Sequence, residues 1–593
     1  MNRKHRLLSL SLTIAFLLLA GSVQVFALEP GSVEASSPPP DTSWDEGERP
    51  FQLPFSDPPG PDTWYLVQPY GNTIGAYFRR YSLYGASGGI HFGIDLAAPC
   101  RTEILAIADG VVFAVDGPFG SPPHNLTIDH PQLGYASMYG HLIEAPDLRP
   151  GQAVKQGEVI ALVGDSAGLC YRRPHLHLEI RDLDHVGKYN PQTLIDADWD
   201  TLALVGSGGR GFMRDLAEPR KWQTLYDQPQ ARIGGPILND FRSTWPLDWE
   251  ESQQDTIRPL EPLPTSTPAS ASSAPALRSA PYGRQVTVGD CCTQPYWSSD
   301  SSSLLFLDRP QPNAATGVWQ IDVTNQTQTS PQIAEDRLAI YSPDRRLIAY
   351  PDRANGLSVV ERLADGRQWR FDTGENAINF TPDSKGVIWV IGGDNEVQTV
   401  RDETLWLADF DGSNARPIYT ARGIGAIRWL AEDELLLFEE LAGTSDERLL
   451  KLSLTDGNVT ELFVGPGMRG VTLGPNSRHL AYYVRFEAEK EKNGVWILDL
   501  ENPSLPPVKA SFFGSYRWRD ENRLLFVPLD PAITTHDFYE YNLTTGQTRS
   551  LFPNGTQLTI ANNDWQVSPD GAKIALVAAQ GRVLDGIWVL DID

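Results

Sequence analysis

Pro174-His175-Leu176-His177-Leu178-Glu179-Ile180 alternates polar and apolar side chains with a period of two, the pattern of a β-strand packed on a core by one face. On such a strand His175, His177 and Glu179 share one face while Leu176, Leu178 and Ile180 turn inward. Two imidazoles so placed sit about 7 Å apart, so one can bind a metal while the other stands beside it over a substrate. Outward from this strand, β-rich runs flank Asp109-Gly110 within residues 102–115 and Gln156-Gly157 within residues 154–163. Residues 61–195 are therefore expected to form a domain that is nearly all β.

Histidine usage singles out the same region. Seven of the ten histidines lie between positions 91 and 185, and spacing decides which of them matter. Three segments stand out: Gly89-Ile90-His91-Phe92-Gly93-Ile94-Asp95, Tyr139-Gly140-His141-Leu142, and the His175/His177 strand itself. On a straight strand His91 and Asp95 would lie about 13 Å apart, so sharing one metal requires a bend, which Gly93 permits. Two histidines and one aspartate with a fourth position vacant form a catalytic zinc set rather than a closed structural one. His130 is expected to end a strand near the site, and His124 and His185 to lie in loops.

In this order and on this strand pattern, the segments resemble the lysostaphin-type (LytM-like) peptidoglycan endopeptidases. The resemblance runs from about residue 64 to 191 and includes the hairpin Val154-Lys155-Gln156-Gly157-Glu158-Val159-Ile160. It implies a zinc ion held by His91, Asp95 and His177, with His141 and His175 assisting catalysis. Zinc with such ligands acidifies water to a pKa of about 7. One of the two free histidines would then act as base and the other, with zinc, would stabilise the oxyanion, the sequence leaving open which does which. Glu179 shares the face of the histidine pair but is not expected to be the base. Arg173 stands where the family commonly has glycine before the Pro-His-Leu-His string, and Cys100 where a turn glycine is common. Both changes bear on substrate preference more than on zinc.

Beyond residue 281 the chain repeats itself. An aromatic or apolar residue precedes a polar turn and then a short apolar strand, opening at Trp297, Tyr341, Phe380, Trp429, Leu473, Trp518 and Val567. Four units add a tryptophan with an aspartate three residues later: Trp319/Asp322, Trp406/Asp409, Trp496/Asp499 and Trp588/Asp591. Seven units of 39 to 49 residues match four-stranded propeller blades. The last unit ends about one strand short, and residues 284–288 are placed to supply that strand and close the ring. The Ser342-Pro343-Asp344 and Ser568-Pro569-Asp570 turns resemble those of TolB-like and WD-type repeats. The fold class expected is all-β: a LytM-like sheet domain followed by a seven-bladed propeller over residues 282–593.

The rest of the chain reads by composition. Arg3, Lys4 and Arg6 precede a short apolar run that ends at Val25-Phe26-Ala27, a signal peptide over residues 1–27. Residues 28–60 are Pro/Ser/Asp-rich and read as a disordered leader. Residues 196–250 form a bridging segment without clear pattern, and residues 251–281 a Pro/Ser/Thr/Ala-rich linker. A net charge of −26 argues against nucleic acid or an anionic membrane as partner. Export makes disulfides permissible. Cys100 and Cys170, each near a metal-site segment, are expected to pair, while Cys291-Cys292 leaves open a vicinal bridge or free thiols. The expected protein is a secreted or cell-envelope zinc metalloendopeptidase cutting peptidoglycan cross-links, its propeller holding substrate, glycan or a protein partner. Two other readings remain: a non-catalytic wall-binding scaffold or activator, and a peptidase of protein substrates. No Gly-x-Ser-x-Gly elbow follows the propeller, which excludes a prolyl-oligopeptidase arrangement.

Overall fold

The computed structural model describes residues 48–238 and 277–592, apart from 81–82, 119, 167, 169, 171–172, 207–211, 213–217, 312, 315–316, 326–327, 334–339, 345, 353–356, 374–377, 393–401, 425–427 and 442–443. The expected signal peptide, residues 28–47 of the expected leader and residues 251–276 of the expected linker lie outside the described residues. With 47% of residues in strands and 4% in helices, the chain is mostly β, as its alternating patterns require.

The first domain contains β1 (Tyr65–Gln68), β2 (Ile94–Ala97), β3 (Glu103–Leu105), β4 (Gly110–Val115), β5 (His124–His130), β6 (Tyr135–Leu142), β7 (Ala153–Val154), β8 (Val159–Leu162), β9 (His175–Asp182), β10 (Gly187–Tyr189) and β11 (Ala231–Arg232). Its antiparallel sheet runs β1-β2-β9-β6-β5-β4-β7, with β10 joining the far end of β9 and β11 joining β10. Strands β3 and β8 pair separately. The histidine strand β9 is central, flanked by β2 and β6, and Leu176, Leu178 and Ile180 are fully buried in the core with Ile94 and Leu96 of β2. His124 opens β5 rather than lying in a loop, its ring held by Asp116. His130 ends that strand, and His185 lies in the turn after β9.

The described part of the leader departs from expectation. Residues 48–60 pack on the sheet domain: Phe51 and Phe55 enter its core, and Arg49 donates to the carbonyls of Ile195 and Ala197. Burying two aromatic rings outweighs a polar composition, because each removes a large apolar surface from water.

The second domain is a seven-bladed propeller. Six four-stranded antiparallel sheets span residues 296–333, 340–372, 379–422, 428–466, 469–509 and 514–550. The seventh takes three strands from residues 559–591 and a fourth, Gly283–Gln285, from the start of the domain, with Ser279–Ala280 added outside it. The anticipated ring closure is thus present. The repeated turn has a physical basis. Ser298, Ser342, Thr381 and Ser568 each donate from their hydroxyl to an aspartate two residues on. The same oxygens accept the backbone N–H five residues on, of Ser303, Leu347, Gly386 and Lys573. This side-chain clasp closes the turn between the first two strands of four blades.

Residues 41–593 cluster as one unit, and the segment after the sheet domain joins the two folds. Helices α1 (Ile74–Phe78) and α2 (Pro191–Leu194) belong to the sheet domain, whereas α3 (Trp199–Leu202) leads into the propeller. Leu204 is buried among propeller residues including Leu525, Phe538 and Trp565. Val205 joins Tyr65 and Ala97 in a cluster with Tyr483, Tyr516 and Phe526. Arg220 makes a two-pronged contact with Asp308 of the first blade.

Candidate metal and active site

Register places the functional side chains. Across the sheet Asp95 of β2 is paired with His177 of β9, and His177 with Gly140 of β6, so these positions form one row. Ala97 is paired with His175, and Tyr65 of β1 with Ala97, giving a second row on the same face. His141 follows Gly140 with φ of 60°, and its ring turns toward those of His175 and His177, with centroids 4.8 and 5.8 Å away. His91 lies before β2, held by a bridge to Gly71. The chain between His91 and Asp95 is bent as expected. Gly93 serves close approach there rather than a left-handed turn: a Cβ on it would sit 2.6 Å from the Leu178 carbonyl oxygen and 2.8 Å from His177 Cε1.

Hydrogen bonds fix the tautomers. His91 Nδ1 donates to the Pro69 carbonyl at 2.8 Å, leaving Nε2 bare. His177 Nε2 faces Glu179 Oε1 at 3.2 Å, leaving Nδ1 to turn the other way. His91 Nε2, His177 Nδ1 and Asp95 Oδ1 then form a triangle with edges of 3.3, 3.2 and 2.8 Å. Ligands on a tetrahedral zinc at about 2.0–2.1 Å stand about 3.3 Å apart, so the donor set suits such an ion. The three donors are one group of possible metal ligands among the described residues. The other, Cys291, Cys292 and Asp308, has its two sulfurs bonded to each other and so offers no thiolate.

The electrostatics suit a cation. Burial opposes charge on Asp95, but His91 and His177 beside it outweigh that and hold its carboxyl well below the usual range. Burial likewise works to lower His177, yet hydrogen bonds with Asp95 and Glu179 raise it to about 9. The carboxylates that hold a proton on this ring also favour a cation in the proton's place.

His141 and His175 stand beside the triangle with matching tautomers. His141 Nδ1 donates to the Pro122 carbonyl and His175 Nδ1 to that of Arg173, leaving both Nε2 atoms as acceptors. Burial and the neighbouring histidines push His141 down to about 3. Burial also lowers His175. Both shifts favour the neutral ring. The structure thus gathers all five residues singled out by spacing.

It also adds residues that spacing did not find. Glu179 is fully buried, accepting from Arg181 Nε at 2.6 Å and from Lys188 Nζ, so two buried cations keep it ionised under His177. Burial pushes Lys188 down to about 8 against the pull of Glu179. The period-two pattern puts Glu179 on the right face, but nothing in the sequence links it to Lys188, on another strand. The carbonyls of Pro69 and Pro122 that set two tautomers carry no sequence signal. The expected Cys100–Cys170 disulfide is present, tying the turn after β2 to the loop before β9.

Residues 89–191 match the model of Peptidase family M23. The catalytic domain of a prophage-encoded M23 protein of Enterococcus faecalis, in mutant form, is 28% identical over 24% of this chain and 95% of its own, with a TM-score of 0.18. The catalytic domain of lysostaphin from Staphylococcus simulans is 20% identical over 22% of this chain and 90% of its own, with a TM-score of 0.18. An oligogalacturonate lyase of Vibrio parahaemolyticus is 12% identical over 52% of this chain and 93% of its own, with a TM-score of 0.39.

Proposed function

We propose that this chain, which carries an M23 peptidase domain over residues 89–191, is a zinc endopeptidase that hydrolyses peptide cross-links of peptidoglycan outside the cytoplasmic membrane. The observation that carries this reading is the triangle of bare donors on His91, Asp95 and His177, flanked by two imidazoles whose Nε2 atoms are left as acceptors, that of His141 meeting the Ser166 hydroxyl at 3.4 Å. In this reading those three residues hold the metal, and His141 and His175 are the catalytic residues. When bound, zinc supplies Lewis acidity toward a peptide carbonyl and acidifies water.

The side chains handle the protons. With both Nδ1–H groups committed to carbonyls, His141 and His175 each meet the substrate as an acceptor at Nε2. One takes the proton of the attacking water and, as an imidazolium, returns it to the leaving amine, which is general base and then general acid catalysis by one ring. The second neutral ring has no Nε2 proton to donate, so it orients water rather than stabilising an oxyanion. Glu179 holds His177 in the tautomer that presents Nδ1, as outer-sphere carboxylates do for metal-bound imidazoles. Export rests on the signal-like first 27 residues. Among the described residues no helix is long and apolar enough to cross a membrane.

The test is bound zinc by elemental analysis on residues 28–593, with muropeptide release from several peptidoglycan types and a His177→Ala variant alongside. Near-stoichiometric zinc and release that vanishes in the variant are expected. Zinc without release turns the reading to a protein substrate, and the absence of both leaves a wall-binding scaffold.

A further inference from the structure

The propeller meets the peptidase domain on the face of the sheet that carries the histidines. Tyr65 stands in the same row as Ala97 and His175. Two strand spacings, about 10 Å, separate it from His175, close to the length of three extended residues. On this row the sheet domain is covered by the connection between two strands of the fifth blade, His479–Val484 and Gly494–Asp499. The Phe486 ring stacks on Tyr65 with centroids 5.7 Å apart, and the Phe486 N–H donates to the Pro61 carbonyl. Asn493 donates to Asp62. The Arg485 guanidinium lies beside this pair of rings, 5.2 Å from the Tyr65 centroid and 5.0 Å from that of Phe486.

Arg485 is half-buried. Its Nη1 is shielded from water with no hydrogen-bond partner. Arg49, Arg80, Arg448, Arg478 and Arg517, by contrast, each donate to an acceptor. Arg485 has neither a hydrogen bond nor an ion pair among the described residues; only the two rings hold it. A guanidinium held beside two rings but lacking an acceptor leaves its charge to be paired by an incoming anion.

We propose that Arg485 of the propeller forms a carboxylate-binding subsite of the peptidase cleft, taking a free carboxylate of the substrate peptide about three residues from the scissile bond on the β1 side. The planar fork of an arginine suits a carboxylate, and the two rings beside it restrict where that fork can lie. The subsite rests on the peptidase reading for its location. It gives the propeller a definite part in substrate selection: one wall of the cleft comes from the second domain.

The test uses the full chain with zinc and two synthetic cross-link peptides, one with free carboxylates and one fully amidated. The wild type is expected to favour the acidic peptide by about 10- to 100-fold in KM, and that ratio to fall to about one in Arg485→Ala. Arg485→Lys should recover part of it, and Arg485→Glu should invert it, a gain that misfolding cannot mimic. An equal KM for the two peptides in the wild type, or an unchanged ratio in Arg485→Ala, overturns the subsite. Binding of the same peptides to zinc-stripped protein, followed by fluorescence anisotropy, separates the two readings. If neither peptide is cleaved but the acidic one binds more tightly through Arg485, the peptidase reading falls and the subsite stands. If both are cleaved and neither binding nor KM distinguishes them, the subsite alone falls.

Discussion

At the scale of single residues, each histidine's role follows from where its second nitrogen is spent. His141 and His175 direct Nδ1 to carbonyls, so replacing either by alanine removes a proton acceptor while leaving the three-donor triangle untouched. For each variant kcat is expected to fall by about 10²–10⁴-fold with zinc content retained, checked by activity and metal analysis on the same preparation. Glu179 behaves differently, because Arg181 and Lys188 are buried against it. Glu179→Gln should loosen zinc by about 10–100-fold, read by chelator competition. Glu179→Ala should also destabilise the domain by about 3–5 kcal/mol in chemical denaturation, since two buried cations lose their counter-charge. The five histidine and aspartate positions were legible because chemistry restricts them to few residue types at fixed spacing. Arg485 and Lys188 were not: a lone basic residue in a strand or loop reads as solvated surface until the fold shows what covers it.

At the scale of elements, the period-two strand and the repeated turn carried most of what sequence could convey. Residues 175–180 revealed a strand and its inner face, and the recurring apolar residue before a polar turn revealed the blades; the clasp inside those turns needs a hydroxyl and a carboxylate two residues apart. Ser568→Ala should therefore cost about 0.5–1.5 kcal/mol, whereas Ser568→Thr should cost little, Thr381 performing the same task in the third blade. Thermal midpoints of the two variants test this. Gly93 makes the opposite point. It reads as a bend-former, but its need is space beside His177, which no local pattern reveals. Gly93→Ala should force β2 and β9 apart at the site, lowering zinc occupancy together with a stability loss of about 1–3 kcal/mol. Short helices such as α3, four residues long, have too few turns for any periodicity, which is why the bridging segment resisted reading.

At the scale of the whole molecule, the joint between the domains holds two buried titratable groups whose effects on stability run in opposite directions with pH. His536 Nδ1 accepts from the Ile560 N–H, so its Nε2 carries the proton and donates to Thr201, whose hydroxyl donates to Asp198. Burial, against the pull of Asp198 and Asp537, holds this ring down to about 4. An unfolded histidine titrates near 6.5, so between pH 6.5 and 4 the unfolded chain binds more protons. The contribution is fully present above pH 6.5 and is lost as pH falls toward 4, a change of roughly 3 kcal/mol. Asp200, one residue before Thr201, is pushed up to about 7 by burial, with the Asn562 N–H working to lower it and Asp198 to raise it further. Its folded form binds more protons between pH 3.8 and 7. That contribution is fully present below pH 3.8 and is lost as pH rises through 7, by roughly 4 kcal/mol. Over pH 4 to 6.5 the two slopes oppose each other. The wild-type joint should therefore change little with pH, while His536→Gln loses stability as pH rises and Asp200→Asn loses it as pH falls. Amide exchange of residues 199–205 and 559–567, followed from pH 4.5 to 7.5, reads the joint directly. Single variants that tilt in opposite directions, with a flat double variant, are the expected outcome. Single variants as flat as the wild type would mean that apolar burial of Leu204 and Val205, which does not titrate, holds the joint without a contribution from His536 and Asp200.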